Sequence, residues 1–305
     1  MIYVSGSMEN DFYKPIFALS VLITLLVFIS FFINSPAPKD VASVIVSYAM
    51  VDNGLEPDIS ADSVAIVRIA DGQVLFSKNP DVFLPVASIT KLMTAVIFLE
   101  HADLFDLIKI SQSAKKPEEK REKMSVLPAG EFLKSEDILK LMIIDSYNDI
   151  ARTASEYVSE KENFAPFSEL MNKKAGELGM SNTRFDNPAG LDSIGNYSTA
   201  SDLVKLASYI TQNYSRIWDI SRIYETDIFS KSGNKYHLVN TNRLLSEITD
   251  IVGTKTGSTD GAKESLVLVV NVLKNDPIVF VILRSDDRIK DVKTLIAWTK
   301  LVYGL

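Results

Sequence analysis

Leu84-Pro-Val-Ala-Ser-Ile-Thr-Lys-Leu-Met-Thr-Ala-Val-Ile-Phe-Leu99 is the stretch on which the reading of this chain turns. The proline, followed by apolar side chains at Leu92, Met93, Val96, Ile97 and Leu99, predicts a helix that starts just after Pro85 and buries one face. Ser88 and Lys91 stand three positions apart, which on a helix puts a hydroxyl and an amine on the same face within hydrogen-bond reach. A serine hydroxyl is a poor nucleophile until a base takes its proton, and a lysine can be that base if burial or a nearby cation lowers its pKa. A helix N-terminus helps twice: its positive end disfavours the ammonium, and its free N–H groups can hold a developing oxyanion.

The inventory of the other residues sharpens this. The 305 residues contain no cysteine and two histidines, His101 and His237. Thiol catalysis, disulfides and Cys-ligated metals are therefore excluded, and a His-rich metal site lacks its ligands. A serine nucleophile with a lysine base needs neither a metal nor a cofactor, and since the lysine makes a histidine base unnecessary, both histidines are expected to be structural or surface residues. With 32 basic and 39 acidic residues the net charge is −7, so a nucleic-acid function is excluded for want of a basic stripe. At 47% hydrophobic and 23% charged, the chain can bury a large core.

Outward from the quoted stretch, Ser63–Ile69, the turn Asp71-Gly72 and Val74–Ser77 read as a β-hairpin. Further helices are expected after Ser135 and over 149–160, 164–178 and 200–212. Ile251–Thr256, Ser265–Leu273 and Ile278–Leu283 read as strands, and Ser285 as the cap of a last helix ending near Tyr303. Strands at both ends of a helical middle predict an α+β fold with one antiparallel sheet built from both chain ends. Upstream, Ile16–Ile33 is uncharged and almost wholly apolar. As a helix it would reach ~27 Å, close to the hydrocarbon thickness of a bilayer. The expected organisation is a tail over 1–14, a transmembrane anchor over 15–34, a linker over 35–60 and a catalytic domain over 61–305. A cleaved signal peptide is the other reading of the leader, although its flank and length fit that pattern poorly.

Two more motifs follow the Ser-x-x-Lys pair. Ser146-Tyr-Asn148 comes after an apolar helix and offers a hydroxyl for proton relay and an amide to hold a substrate carbonyl or a lysine. Lys255-Thr-Gly257 lies on an expected strand, where Lys255 and Thr256 can hold a carboxylate and Gly257 lets a peptide lie alongside. Each motif has decoys, at Ser113–Lys116, Ser232–Lys235, Ser232-Gly-Asn234 and Lys231-Ser-Gly233, but none of these follows a comparable apolar pattern.

In this order and spacing, the three motifs resemble those of the low-molecular-mass penicillin-binding proteins of the D-alanyl-D-alanine carboxypeptidase type. Phe185-Asp-Asn-Pro-Ala-Gly-Leu191 and Gly253-Thr-Lys-Thr-Gly-Ser-Thr259 are similar to further family stretches, and the likeness runs from about residue 60 to 300. It departs at Ala189, where a larger polar residue is common, and at Lys263, where glycine is usual. The end of the chain soon after Trp298 implies that the family's β-rich C-terminal domain and anchor are absent, with the N-terminal segment as tether.

The resemblance implies a β-lactamase/transpeptidase-like fold and a catalytic domain on the extracytoplasmic side of the cell membrane, secreted if the leader is cut. It implies Ser88 as nucleophile, Lys91 as base and Ser146 as proton relay. Asn148 would position the substrate amide, Lys255, Thr256 and Gly257 would bind the substrate's carboxylate end, and the Ser88 and Ser258 N–H groups would form the oxyanion hole. The partners would be a peptidoglycan stem peptide ending in D-Ala-D-Ala, and β-lactams as inhibitors. A D,D-endopeptidase and a non-turnover sensor of β-lactams or wall peptides are the alternatives. A class A β-lactamase is disfavoured because no counterpart of its deacylating glutamate stands out.

Overall fold

The structure is a computed structural model and describes residues 56–118, 122–273 and 276–304. The expected anchor over 15–34 and most of the linker lie outside these residues. Among the described residues no helix is long and apolar enough to cross a membrane.

A five-stranded antiparallel sheet runs in the order β2-β1-β9-β8-β7, formed by β1 (Ser63–Arg68), β2 (Val74–Lys78), β7 (Ile251–Thr259), β8 (Lys263–Leu273) and β9 (Asp276–Ser285). The first strand pairs with the last, Ser63 opposite Leu283 and Arg68 opposite Ile278, so both chain ends build one sheet, as expected. Alternation along the strands separates two cores. Val64, Ile66, Leu266, Leu268, Phe280 and Ile282 face the terminal helix with its Val292 and Leu295. Ala65, Val67, Val267, Val269, Val279 and Val281 face the helical middle. With both faces covered, β8 and β9 read as nearly continuous apolar runs.

The helices are α1 (Lys91–His101), α2 (Ser135–Lys140), α3 (Asn148–Lys161), α4 (Phe167–Glu177), α5 (Ala200–Asn213), α6 (Ser215–Ser221) and α7 (Arg288–Tyr303). A 3₁₀ turn, Ala87–Thr90, leads into α1, and α2 continues as a π-helical turn over Leu141–Asp145. Every residue of α1 from Lys91 to Phe98 is buried, so this helix is central rather than the amphipathic one that the spacing predicts.

Three further differences have local causes. Two small hairpins, β3 (Leu107–Lys109) with β4 (Phe132–Lys134) and β5 (Glu225–Phe229) with β6 (Lys235–Val239), were not expected; each strand has one fully buried side chain and so carries little apolar pattern. The cap of α7 is Asp287, which accepts from the N–H groups of Ile289 and Lys290 at 3.0 and 2.9 Å, instead of Ser285. Lys263 opens β8 at φ +46°, a left-handed conformation that explains why glycine suits that position.

Candidate active site

The turn that carries Ser88 is built under constraint. Ala87 has φ +47°, and the 3₁₀ turn that follows stacks residues three apart directly over one another. Ser88 Oγ and Lys91 Nζ accordingly lie 2.9 Å apart. Two glycines let this turn be clamped. A methyl group at Gly190, itself at φ +86°, would fall 1.9 Å from the Ala87 carbonyl oxygen, and one at Gly257 would fall 2.7 Å from that of Val86. The side-chain space that Gly257 leaves open is thus filled by the chain's own nucleophile turn, a use of that glycine not anticipated from the motif.

Lys91 is fully buried, and its Nζ meets Asn148 Oδ1 and the Ala189 carbonyl, both at 2.6 Å, as well as Ser88. Burial, opposed by the attraction of Glu122 and assisted by repulsion from Lys123 and Arg152, pulls its pKa down to about 7. A neutral amine has two N–H donors and one lone pair. The two carbonyl oxygens take the donors, which leaves the lone pair for the Ser88 hydroxyl proton. Asn148 therefore holds the lysine, one of the two uses open to it. Asn187, which the motifs do not include, accepts at 2.7 Å from the Gly190 N–H and at 3.0 Å from that of Leu191, shaping the loop that presents the Ala189 carbonyl.

The π-helical turn delivers Ser146 in a left-handed conformation, φ +65°. Lys255 Nζ donates to Ser146 Oγ at 2.9 Å and to the Thr256 carbonyl at 3.0 Å. Burial, reinforced by repulsion from Lys91, Lys123 and Arg288, holds Lys255 well below the usual lysine range. At 1% exposure Lys255 sits behind the cleft wall, with its Nζ on Ser146.

The cleft itself, about 430 Å³, is lined by Ser88, Ser146, Asn148, Thr256, Gly257 and Ser258 from the three motifs, joined by Lys123 and Arg288 among others. Arg288, absent from the sequence reading, donates to the Gly257 carbonyl at 3.3 Å beside Thr256. Its only sequence signal is a cation in the first turn of the last helix, which ordinarily reads as a solvated surface group. The decoys stand apart: Ser113 donates to Glu156, and neither it nor the Ser232–Lys235 segment lines the cleft. Neither histidine lines it either; His101 contacts the Ile97 carbonyl and His237 pairs with Asp227.

A family model for D-alanyl-D-alanine carboxypeptidase matches residues 50–287. The D-alanyl-D-alanine carboxypeptidase DacF of Bacillus subtilis is 35% identical over 209 residues, 68% of this chain and 53% of that protein, so this chain spans about half the length of that relative. A D-alanyl-D-alanine endopeptidase of Escherichia coli is 35% identical over 251 residues, 81% of this chain and 77% of its own. Among solved structures, a mutant of the Streptomyces K15 DD-transpeptidase superposes with a TM-score of 0.73 at 25% identity, covering 82% of this chain and 100% of that one. With its three motifs gathered around one cleft and a family match spanning most of its length, the chain belongs to the D-alanyl-D-alanine carboxypeptidase family.

Proposed function

We propose that this protein is a serine-type D-alanyl-D-alanine carboxypeptidase that trims the terminal D-alanine from peptidoglycan stem peptides through an acyl-enzyme. The observation that carries the reading is the buried Lys91 amine, aimed at Ser88 with its other partners already supplied by Asn148 and Ala189. Ser88 Oγ attacks the carbonyl of the penultimate D-alanine and gives its proton to Lys91. The N–H groups of Ser88 and Ser258 receive the oxyanion. As the C–N bond breaks, Ser146, held by Lys255, relays the proton from Lys91 to the leaving amine, which returns Lys91 to its neutral form. Water then attacks the ester with Lys91 again as base. Asn148, besides holding Lys91, meets the amide of the acyl donor along the cleft. Thr256 and Arg288 line the cleft where the terminal carboxylate would sit, with Lys255 behind them.

The wall substrate lies outside the cytoplasm, and the apolar run Ile16–Ile33 is suited to a single-pass anchor or leader that takes the domain there. An endopeptidase acting on wall crosslinks is the second reading, favoured by the E. coli relative that bears that name and is matched over 77% of its length. A sensor would acylate without turning over. Incubation with a labelled penicillin followed by peptide mapping is expected to place the label on Ser88 alone, and steady release of D-alanine from a diacylated D-Ala-D-Ala peptide is expected to follow. A label that persists in Ser88→Ala would remove the assignment; acylation without D-alanine release would leave the endopeptidase or the sensor.

A further inference from the structure

Residues 122–125 come from a charged segment that reads as a solvated loop, yet they are fastened across the Ser146-Tyr147-Asn148 turn. The Asn148 N–H donates to the Lys123 carbonyl at 2.9 Å. The Asp149 carboxylate accepts from the Ser125 N–H and from Lys115 Nζ, both at 2.8 Å. Arg152 pairs with Glu122, whose side chain is fully buried. These anchors set the Lys123 side chain on the cleft wall, 48% exposed. Its ammonium donates to the Asp145 carbonyl, stands 3.8 Å from Asp145 Oδ1, and lies 5.1 Å from the centre of the Tyr147 ring.

The charges along the cleft do not balance around this group. Of the acids that line the cleft, Glu122 is engaged by Arg152, Asp192 accepts from Thr259 and the Gly261 N–H, and Asp260 lies in the turn between β7 and β8. Arg288 has a proposed use in the substrate's terminal carboxylate; Lys123 has none. Among the described residues its neighbouring anion, Asp145, is imperfectly placed, and burial pulls Lys123 down while pushing the Asp145 carboxyl up, as expected of a pair that compensates poorly. Lys123 also adjoins Asn148 through the backbone, and with Asn148 meeting the acyl donor's amide as proposed above, it stands on the acyl-donor side of the scissile bond.

We propose that Lys123 is a specificity-determining residue: its ammonium pairs with a free side-chain carboxylate on the residue that precedes D-Ala-D-Ala in the donor peptide. The inference rests on the peptidase reading above. An ammonium has three donors, so a substrate carboxylate can join the Asp145 carbonyl without displacing it.

The test compares two synthetic peptides, X-D-Ala-D-Ala with X bearing a side-chain carboxylate, and the same peptide with that carboxylate as its primary amide. The full-length parent is expected to prefer the acid by about five-fold in kcat/KM, the range of a half-exposed ion pair. In Lys123→Gln the acid-to-amide ratio is expected to fall to about one, whatever loss the two substrates share, and in Lys123→Arg the preference is expected to return. A preference that survives Lys123→Gln overturns the proposal, as does a parent that hydrolyses both peptides equally; in either case the peptidase reading stands. A parent that hydrolyses neither peptide overturns both.

Discussion

At the residue scale, the proposed chemistry depends on Lys91 being uncharged. Only the neutral amine can accept the Ser88 proton, and burial holds the group near pH 7 rather than in the usual lysine range. The sign follows directly: below this value the lysine is an ammonium with no lone pair, and above it the base is free. The second-order rate of Ser88 acylation by a penicillin is expected to rise about ten-fold per pH unit up to near pH 7 and then level off. Lys91→Arg, which keeps the charge but cannot release a proton at working pH, is expected to abolish acylation. A rate that is flat from pH 5 to 8, or an arginine variant that still acylates, would exclude Lys91 as the base. Ser88 and Lys91 were legible as a pair, because a hydroxyl and an amine held on one turn of helix must be close in sequence. Arg288 and Lys123 were not, since a cation in a polar segment looks the same whether it faces bulk water or a cleft.

At the scale of elements, the strands of the five-stranded sheet and the long helices were legible because their apolar pattern runs over five or more residues. The turns that position the site were not. A 3₁₀ turn of four residues and a π-helical turn of five do not extend far enough for a period of 3.0 or 4.4 to be told from 3.6. Likewise, the strap over Asn148 is made by Lys115, Glu122 and Ser125 acting on Asp149 and Arg152, 24 to 34 positions away, which no local pattern records. The nucleophile turn can be probed through the glycines around it. Gly190 and Gly130 both have positive φ, +86° and +93°, but only Gly190 touches the Ala87–Ser88 backbone; nothing lies within 4 Å of a methyl at Gly130. Backbone strain is therefore common to both alanine variants, while displacement of the nucleophile belongs to one. Gly130→Ala is expected to lose about 1 kcal/mol of stability and keep its acylation rate. Gly190→Ala is expected to lose at least a hundred-fold in acylation rate by the fraction that remains folded. Equal acylation by the two variants, measured with a fluorescent penicillin, would show that the turn is not held by that contact.

For the molecule as a whole, a sheet that joins the beginning and end of the domain must close a loop of more than two hundred residues, and the joint needs more than ladder hydrogen bonds. Asp291 supplies it. From inside α7 its carboxylate accepts from the Ser60 N–H at 3.1 Å, the Ser60 hydroxyl at 2.8 Å, the Ala61 N–H at 2.9 Å and the Ser285 hydroxyl at 2.6 Å. One buried side chain thus ties the residues before β1, the end of β9 and the terminal helix. An α+β sheet from both ends was legible in the strand pattern, whereas this joint was not, because an aspartate in the first turn of a helix has a sufficient local reason to be there. The two explanations make different predictions. If Asp291 only favours the helix terminus, Asp291→Asn should cost a few tenths of a kcal/mol, less than the ~1 kcal/mol expected when Asp287→Ala removes the cap. If it joins the chain ends, the asparagine amide turns an N–H₂ toward groups that are themselves donors in a site that is 1% exposed. The loss is then on the order of 2–4 kcal/mol. Urea unfolding of the two variants beside the parent decides it. Asp291→Asn is expected to be the more destabilised, and a midpoint at or above that of Asp287→Ala would reduce Asp291 to a helix-terminus charge and leave the strand ladder alone to hold the ends together.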